Sequence, residues 1–376
     1  MRRKSIWLRL CLAFVLGVIF AFGGILFLLG RVTGSSAGSV DFLRALTVIQ
    51  HSYVGDVDAS HLWEGAITGM VDSLGDPHSI YMDEEMYTEF QSATSGMFGG
   101  VGLVVGKKDG QLVVISPIEG TPGELAGVKS GDIIIAIDGQ DTASLNLTEA
   151  VGKIRGEEGS TVMLRIQRGD ELREYNIVRE NIKLHAVGGK MLDDSIGYLR
   201  ITNFNETVVD ELKTEYARLE AEGMKRIILD LRDNPGGLLT ESVGVAEMFV
   251  KQGPVVSIVE HDGTKTVYES QSEGCPYPIV VLVNHGSASA AEIVAGAVQD
   301  TQAGILMGTK TYGKGSVQSL MPLTQGAVKL TIAKYYTPNE RLIDGIGLEP
   351  DVIVEASETD QKDKVLETAI EYLKTK

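Results

Sequence analysis

A serine at the start of an apolar helical pattern is the first candidate for catalysis in this chain of 376 residues. Residues 281–300 read as a buried strand, a turn rich in Gly and Ser, and an apolar helix, with Ser289 at the turn. The N–H groups at a helix N-terminus have no intrahelical partner and carry partial positive charge. Such groups stabilise the oxyanion that forms when a hydroxyl attacks a carbonyl. The pattern predicts a nucleophilic Ser289, although the same turn can also be an ordinary helix cap.

A second strand–turn–helix unit contributes two adjacent glycines. Residues 229–237, LDLRDNPGG, end a buried strand in a polar turn that contains Gly236 and Gly237. Because glycine has no Cβ, this turn can bring further backbone N–H donors close to an attacked carbonyl. The alternative interpretation is a plain α/β sheet whose loops are rich in Gly and Ser.

A nucleophilic serine needs a base, and residues 311–318, TYGKGSVQ, offer one. Lys314 lies between two glycines on a loop that enters a strand, and Gln318 follows on the same side of an extended chain. A lysine whose pKa is lowered by burial can accept the serine proton, and Gln318 could then accept a hydrogen bond from the ammonium. His285, four residues before Ser289, keeps a Ser-His arrangement open.

Composition and charge exclude several other function classes. The formal net charge of −17, from 34 basic and 51 acidic residues, argues against a protein that binds nucleic acid by neutralising phosphates. Two cysteines rule out a disulfide-stapled scaffold and a Cys-rich zinc module, and Cys275 is interpreted as a half-buried apolar side chain. The sequence has no clustered set of metal ligands, so we expect neither a metal nor a cofactor.

The N-terminal segment predicts a membrane anchor. Residues 10–29 form a run of twenty residues without a charge, which is long enough to span the hydrocarbon core of a bilayer. Arg2, Arg3, Lys4 and Arg9 precede the run, so the positive-inside bias keeps residues 1–9 in the cytoplasm and places the rest outside. A cleaved signal peptide is the alternative interpretation.

Three patterns follow one another along the exported part. Residues 39–93 show helical spacing of apolar side chains and predict a small helical region. From residue 96 to about residue 179, short alternating strands and Gly-rich turns predict a compact, partly open β-barrel or sandwich with one helix. From residue 196 onward, continuous apolar strands alternate with helices, as in a parallel sheet with crossover helices. The predicted fold class is therefore α/β, with an inserted β domain.

Six motifs, in this order along the chain, resemble those of the C-terminal-processing (tail-specific) serine proteases of bacteria and chloroplasts: GDPHSIYM, FGGVGLVV, LRDNPGGLL, NHGSASAAEIVAGA, KTYGKGSVQ and GIGLEPDV. The resemblance implies a crotonase/ClpP-like α/β protease domain with an inserted PDZ domain. It implies that Ser289 is the nucleophile, Lys314 the general base and Gln318 the residue that positions the lysine. It also implies an oxyanion hole formed by backbone N–H groups of Ala290, Gly236 and Gly237.

The resemblance also gives the inserted domain a role. In a PDZ domain a loop with successive backbone N–H groups holds the terminal carboxylate of a peptide that adds as a strand. This loop corresponds to Phe98, Gly99, Gly100, Val101, Gly102 and Leu103, and the helix over residues 145–154 forms the other wall of the groove. The implied domains are a cytoplasmic N-terminus (1–9), an anchor (10–29), a helical region (39–93), the PDZ domain (94–180) and the protease domain (181–376).

The leading hypothesis is an endopeptidase anchored in the cell membrane, with its catalytic part in the periplasm or outside the cell. It would recognise protein substrates with unstructured, apolar C-termini and cleave them through an acyl-enzyme at Ser289. Self-association into a homo-oligomer is compatible with this hypothesis, and no nucleic acid is expected. Two alternatives stay open, a catalytically silent PDZ scaffold that binds peptides and a Ser-His hydrolase that uses His285.

Overall fold

The computed structural model describes residues 30–108, 110–192, 195–355 and 362–376, together with some residues between 13 and 28. The basic residues that precede the predicted anchor, and about half of the anchor itself, lie outside the described residues. Within the part of the chain that is described, no helix combines the length and the apolar character needed to span a bilayer.

The first of two compact units is residues 1–81, and its described part from residue 36 onward includes two helices with largely exposed surfaces. They are α1 (Ser36–Ser52) and α2 (Ala59–Asp72). The rings of Phe42 and Trp63 lie 6.1 Å apart between their centroids and pair the two helices. Helices therefore form where the apolar spacing predicts them.

The second unit, residues 82–376, holds both the β domain and the α/β domain. The short strand β1 (Ile80–Met82) leads into α3 (Glu84–Ser95). The side chain of Asp83 caps α3 by accepting a hydrogen bond from the N–H of Met86 at 2.8 Å. The helix ends at Gly96, whose φ of 70° is a conformation that favours glycine.

The inserted β domain is built on an antiparallel sheet with the strand order β3-β4-β5-β7-β8, and β6 pairs with β5. The chain enters on β2 and leaves on β9, and these two strands pair with each other. Helix α5 is capped by Asn146, whose side chain forms a capping box with Glu149. The elements are β2 (Met97–Gly100), β3 (Leu103–Lys108), β4 (Gln111–Pro117), α4 (Pro122–Leu125), β5 (Ile133–Ile137), β6 (Gln140–Asp141), α5 (Leu147–Ile154), β7 (Thr161–Arg168), β8 (Glu171–Val178) and β9 (Glu180–Lys183).

The α/β domain is built around a sheet with the strand order β10-β11-β12-β15-β16-β19. Strand β10 is antiparallel to β11, and the other neighbours are parallel. The predicted parallel sheet with crossover helices is thus confirmed. Its elements are β10 (Val187–Leu192), β11 (Ile196–Ile201), α6 (Val208–Ala221), β12 (Arg226–Asp230), α7 (Leu239–Glu247), β15 (Ile279–Val283), α8 (Ala290–Asp300), β16 (Ile305–Gly308), β19 (Val352–Ile353) and α9 (Lys364–Lys374).

Both faces of this sheet are buried, which explains the continuous apolar runs of its strands. Ile227 and Leu229 of β12 belong to the larger core, which includes the helices α6 and α8. Ile228, between them, belongs to a second core against α9 on the opposite face. The catalytic candidates follow the carboxyl ends of these strands, where loops of an open parallel sheet commonly form binding sites.

A second, antiparallel sheet carries the other candidates. It contains β13 (Gly253–Glu260), β14 (Lys265–Ser270), β17 (Ser316–Pro322) and β18 (Ala327–Tyr336). Strand β18 pairs with both β17 and β13, and β13 pairs with β14. Gln318 lies on β17.

Candidate active site

Segments that are distant in sequence form the wall of one cleft of about 380 Å³. The turn between β15 and α8 contributes Ser289, and the loop before β17 contributes Lys314. The loop after β12 contributes the two adjacent glycines. The cleft brings together all the residues predicted for catalysis and for the oxyanion hole: Ser289, Lys314, Gln318, Gly236, Gly237 and Ala290.

Ser289 has a strained backbone. Its φ of 54° and ψ of −115° lie in a region that residues with a Cβ rarely occupy, and it stands directly before the first residue of α8. Such strain persists only where surrounding contacts enforce it, and it concentrates at functional sites. Buried Ser287 fixes the turn, because its hydroxyl donates to the carbonyl of Leu231 at 2.8 Å. The half-buried Ser289 is therefore presented on a turn that the sheet holds in place.

The two glycines approach Ser289 more closely than any larger residue could. A Cβ added at Gly236 would lie 2.8 Å from the Cβ of Ser289 and 2.9 Å from the amide nitrogen of Ala290. One added at Gly237 would lie 2.3 Å from the carbonyl oxygen of Phe204. These contacts explain why glycine is required at both positions.

The N–H groups of these residues are not equivalent. The N–H of Gly236 donates to the side-chain oxygen of Asn234 at 2.8 Å, so it is already engaged. Among the described residues, no acceptor is recorded for the N–H groups of Gly237 and Ala290. Of the three oxyanion-hole residues predicted from the sequence, Gly237 and Ala290 thus carry the available donors. Gly236 provides the close approach.

Asn234 is a site residue that the sequence reading missed. Its fully buried side-chain amide donates to the carbonyl of Ile201 at 2.8 Å, and its backbone carbonyl accepts from the N–H of Ala288 at 2.9 Å. It therefore ties the glycine loop to the turn that carries Ser289. The signal in the sequence is an Asn immediately before Pro-Gly-Gly, which is typical of a side chain that shapes a turn.

Glu292 was also missed, and it joins the two catalytic segments directly. Its carboxylate is fully buried in the first turn of α8. Oε2 accepts from the N–H of Ser289 and from the N–H of Lys314, both at 2.9 Å. Oε1 accepts from the hydroxyl of Thr311 at 2.6 Å and from the N–H of Gly313 at 2.8 Å. One side chain thus sets the distance between the backbones of the candidate nucleophile and the candidate base. Its local signal is a Glu three residues after the helix cap.

Tyr335 holds the same two segments from the other side. Its ring is 1% exposed, and its hydroxyl bonds to the carbonyl oxygen of Ser289 at 3.1 Å and to that of Lys314. Burial and the nearby carboxylate of Glu292 raise the pKa of Tyr335 well above its ordinary value, so the phenol keeps its proton. Nothing in the sequence around Tyr335 indicates this contact.

Gln318 has its amide group oriented by two hydroxyls. Its Nε2 donates to the hydroxyl oxygen of Ser316 at 2.9 Å and to that of Thr331 at 3.1 Å. This arrangement makes the carbonyl oxygen Oε1 the atom that can accept a hydrogen bond. The pairing of β17 with β18 shifts register between Val317 and Gln318, so the strand is not regular here. Gln318 and Lys314 nevertheless both line the cleft.

His285 does not join this cleft. It is exposed, and its ring centroid lies 5.6 Å from that of Tyr312. None of the described residues that line the cleft is a histidine. The geometry therefore gives no support to a Ser-His arrangement.

The predicted peptide loop of the β domain connects β2 to β3. Gly102 has a φ of 70°, and a Cβ there would lie 2.2 Å from the hydroxyl of Thr121. The guanidinium of Arg155 stacks 4.7 Å from the ring centroid of Phe98. Helix α5, predicted over residues 145–154, begins at Leu147 and packs against β3. The loop leads into β3, against which α5 packs, and this order of elements is the one expected for strand addition by a peptide.

Three family models match the chain. The model for peptidase family S41 matches residues 195–354, and the model for the PDZ domain matches residues 113–168. A third, described as the N-terminal domain of the activating protease CtpB, matches residues 37–86.

Individual proteins are similar over most of the chain. The carboxy-terminal processing protease CtpA of Bacillus subtilis is 40% identical over 334 residues, which cover 87% of this chain and 72% of the relative. The carboxy-terminal-processing protease of Bartonella bacilliformis is 41% identical over 317 residues, covering 82% and 73%. Among solved structures, the photosystem II D1 C-terminal processing protease matches with a TM-score of 0.52 and 26% identity, covering 87% of this chain and 96% of that one.

Proposed function

The chain belongs to the carboxy-terminal processing proteases of peptidase family S41, and from this premise we propose that it cleaves polypeptides with a serine–lysine dyad, Ser289 and Lys314. The observation that carries the proposal is the shared cleft. It combines a serine on a strained turn, a glycine-flanked lysine and two available N–H donors.

Each step of the proposed reaction has a residue in the cleft. The Oγ of Ser289 attacks the scissile carbonyl while the neutral amine of Lys314 takes its proton. The N–H groups of Gly237 and Ala290 donate to the oxyanion of the tetrahedral intermediate. The ammonium of Lys314 returns the proton to the leaving amine, which departs and leaves an acyl-enzyme. Water, deprotonated by the same lysine, then attacks the ester and releases the second product with Ser289 restored.

Gln318 orients the base in this scheme. Because its Nε2 is engaged by the hydroxyls of Ser316 and Thr331, its Oε1 is directed to accept a hydrogen bond from the lysine ammonium. That interaction would hold the proton donor in place while the amine leaves.

The test is hydrolysis of an unfolded protein by three variants. Ser289→Ala and Lys314→Ala should each lower kcat by more than about a thousandfold, because members of a catalytic unit cannot replace one another. His285→Ala serves as the control and should retain activity. If either of the first two variants keeps normal turnover, the assigned roles are wrong, and loss of activity in His285→Ala alone would establish the Ser-His hydrolase.

A silent peptide-binding scaffold makes the opposite prediction. It would bind peptides equally well as wild type and as Ser289→Ala, and neither would hydrolyse them. A serine-directed covalent reagent should label the wild type and not the Ser289→Ala variant, and absence of label together with absence of turnover would support the scaffold.

We also propose that the PDZ domain selects unstructured, apolar C-termini of protein substrates. The loop from Phe98 to Leu103 and the packing of α5 against β3 support this proposal. A short apolar peptide with a free carboxylate should change the cleavage rate of an untailed substrate, and its amidated form should not. Equal effects of the two peptides would remove the carboxylate from the recognition step.

The proposed location is the outer side of the cytoplasmic membrane. The support is the uncharged run at residues 10–29 with basic residues before it. In cells stripped of their outer layers, added protease should digest the chain, which should stay with the membranes in high salt. N-terminal sequencing of the mature protein distinguishes an anchor from a cleaved signal peptide. Sedimentation of the full chain in detergent tests for a homo-oligomer.

A further inference from the structure

A second lysine, Lys329, lines the cleft from strand β18. Its Nζ lies 5.9 Å from the ring centroid of Phe90, which belongs to α3. Leu320, the residue opposite Lys329 on β17, also lines the cleft. Two apolar side chains, Phe90 and Leu320, thus lie beside Lys329 in the wall of the cleft.

Lys329 lies at some distance from the reacting atoms, and strand β18 gives the scale of that distance. Tyr335, whose hydroxyl reaches the carbonyl of Ser289, follows it by six residues on β18. Six residues of strand span about 20 Å, which is also the length of about six residues of an extended peptide. A substrate that runs along the cleft would therefore meet Lys329 several residues from its scissile bond.

The charge of Lys329 lacks a counterpart in the described part of the chain. No carboxylate there forms an ion pair with it, although acidic residues outnumber basic ones by 51 to 34. Burial lowers the pKa of Lys329 below its ordinary value. The part-buried Arg232, by contrast, pairs with both Asp230 and Asp363. A partly desolvated cation gains more from an incoming anion than an exposed one does, because the attraction is less screened.

We propose that Lys329 is a specificity-determining residue of the protease, which binds a carboxylate of the substrate chain several residues from the scissile bond. The inference rests on the proposed function, since it takes the cleft as the substrate site. The carboxylate is either an Asp or Glu side chain or the free C-terminus, because both present the same two oxygens to an ammonium.

The test uses peptides of one sequence in which a single position is Glu or Gln, moved stepwise along both sides of the scissile bond. At one position on one side, the wild type should prefer Glu by about tenfold or more in kcat/KM, mainly through KM. Lys329→Met keeps the length and apolar stem but not the charge, so its ratio of kcat/KM for the Glu peptide over the Gln peptide should fall to about one. A preference that survives in Lys329→Met overturns the proposal, as does its absence at every position and at the C-terminus.

The matched control is Lys265→Met. Lys265 is an exposed lysine of β14 that pairs with Glu340 at 2.7 Å and does not line the cleft. This variant should keep the full preference for Glu. If it loses the preference as Lys329→Met does, the effect comes from the overall charge of the protein, and the proposal fails.

Two further arms identify the source of the carboxylate and separate this inference from the catalytic one. Peptides ending in a free acid or an amide at graded distances from the scissile bond show whether the C-terminus is the group that Lys329 binds. Binding of the Glu and Gln peptides to Ser289→Ala, with and without Lys329→Met, gives the same comparison without turnover. A preference that depends on Lys329 in binding supports the inference even if Ser289 proves not to be the nucleophile.

Discussion

Glu292 and Glu211 are both buried carboxylates that accept from four donors, yet only Glu292 lies beside the cleft. Glu292 joins the N–H groups of Ser289 and Lys314, and also accepts from Thr311 and Gly313. Glu211 lies on α6, and its carboxylate oxygens join that helix to the segment that follows the β domain. Its donors are the N–H groups of Ala186 and Val187, the hydroxyl of Thr207 and the ammonium of Lys183.

The comparison shows two roles for the same interaction, a buried carboxylate that accepts several hydrogen bonds. A buried carboxylate that accepts several N–H bonds fixes backbone segments, because leaving those donors unpaired is costly. At Glu211 the fixed segments belong to the scaffold, whereas at Glu292 they carry the candidate nucleophile and base. Both residues should therefore contribute to stability, but only Glu292 should contribute to the rate of the chemical step.

Among the variants that test this comparison, Glu292→Gln should have the largest effect. The new NH2 group would face the two N–H donors at the Oε2 position or the N–H of Gly313 at the Oε1 position. At least one hydrogen bond is therefore lost, and the turn of Ser289 or the loop of Lys314 must shift. We expect kcat to fall by about a hundredfold or more, with a smaller change in KM, since misplacement by about 1 Å can cost this much. The free energy of unfolding should fall by about 2–4 kcal/mol. Steady-state kinetics and denaturant unfolding measure the two effects.

Glu211→Gln is the matched control for that variant. It should lose a similar amount of unfolding free energy and keep kcat within about twofold at a temperature where it is folded, because its donors do not line the cleft. A large loss of kcat in Glu211→Gln, at full folding, would contradict the division between scaffold and site.

The next effect in size concerns the glycine loop. In Gly236→Ala the added Cβ meets Ser289 and the amide nitrogen of Ala290, so the loop must shift and the oxyanion donors with it. We expect kcat to fall by about a hundredfold, as when one oxyanion donor is removed. Gly223→Ala provides the control, since Gly223 has a φ of 98° against 103° at Gly236 but open space around it. Similar activity in the two variants would mean that the close approach of Gly236 to Ser289 does not hold the oxyanion donors in place.

Much of this site was predictable because its signals are local. Ser289 and the glycine pair follow apolar strands, and Lys314 stands between glycines, so short windows of sequence contain the pattern. The parallel sheet was predictable for the same reason, since strands buried on both faces read as continuous apolar runs.

The residues that fix the site were less predictable, because their partners are distant in sequence. Tyr335 reaches a serine 46 residues earlier, and Phe90 of α3 faces a cleft formed mostly by residues more than a hundred positions later. A short stretch of sequence contains only one of the two partners in such a contact, so it cannot predict the contact. The hairpin of β13 and β14 was not predicted, although its sequence contains a local signal. Asp262-Gly263 between two strand-like segments is typical of a hairpin turn.

A smaller effect is expected from Tyr335→Phe. This change leaves Glu292 in place but removes the hydroxyl that holds the carbonyls of Ser289 and Lys314. We expect kcat to fall by about tenfold and the free energy of unfolding by about 1–3 kcal/mol, the cost of unpaired buried groups. Tyr216→Phe is the control, because its hydroxyl bonds to the sulfur of Cys275, at 3.7 Å, and does not line the cleft. If the two variants keep equal activity, Glu292 alone holds the segments together.

The smallest expected effect is on the pH dependence of stability, which should differ between Glu211 and the part-buried Glu241. Burial raises the pKa of Glu211, but hydrogen bonds from Thr207, Lys183 and two backbone N–H groups outweigh it and hold the pKa below its ordinary value of 4.5. The resulting stability is present above about pH 4.5 and is lost as the pH falls through the lower value in the folded state. The destabilisation of Glu211→Gln, measured by unfolding at pH 7 and below 4.5, should therefore shrink on acidification.

Glu241→Gln should change the free energy of unfolding in the opposite direction. Burial, with repulsion from Asp210 and Glu206, raises the pKa of Glu241 above 4.5, so its charged form costs stability near neutral pH. The variant should be slightly more stable than the wild type at pH 7, and this gain should vanish below about pH 4.5, where both forms are neutral. Parallel pH profiles for the two variants would show that the hydrogen bonds to Glu211 do not favour its ionised form, and the comparison with Glu292 would lose its physical basis.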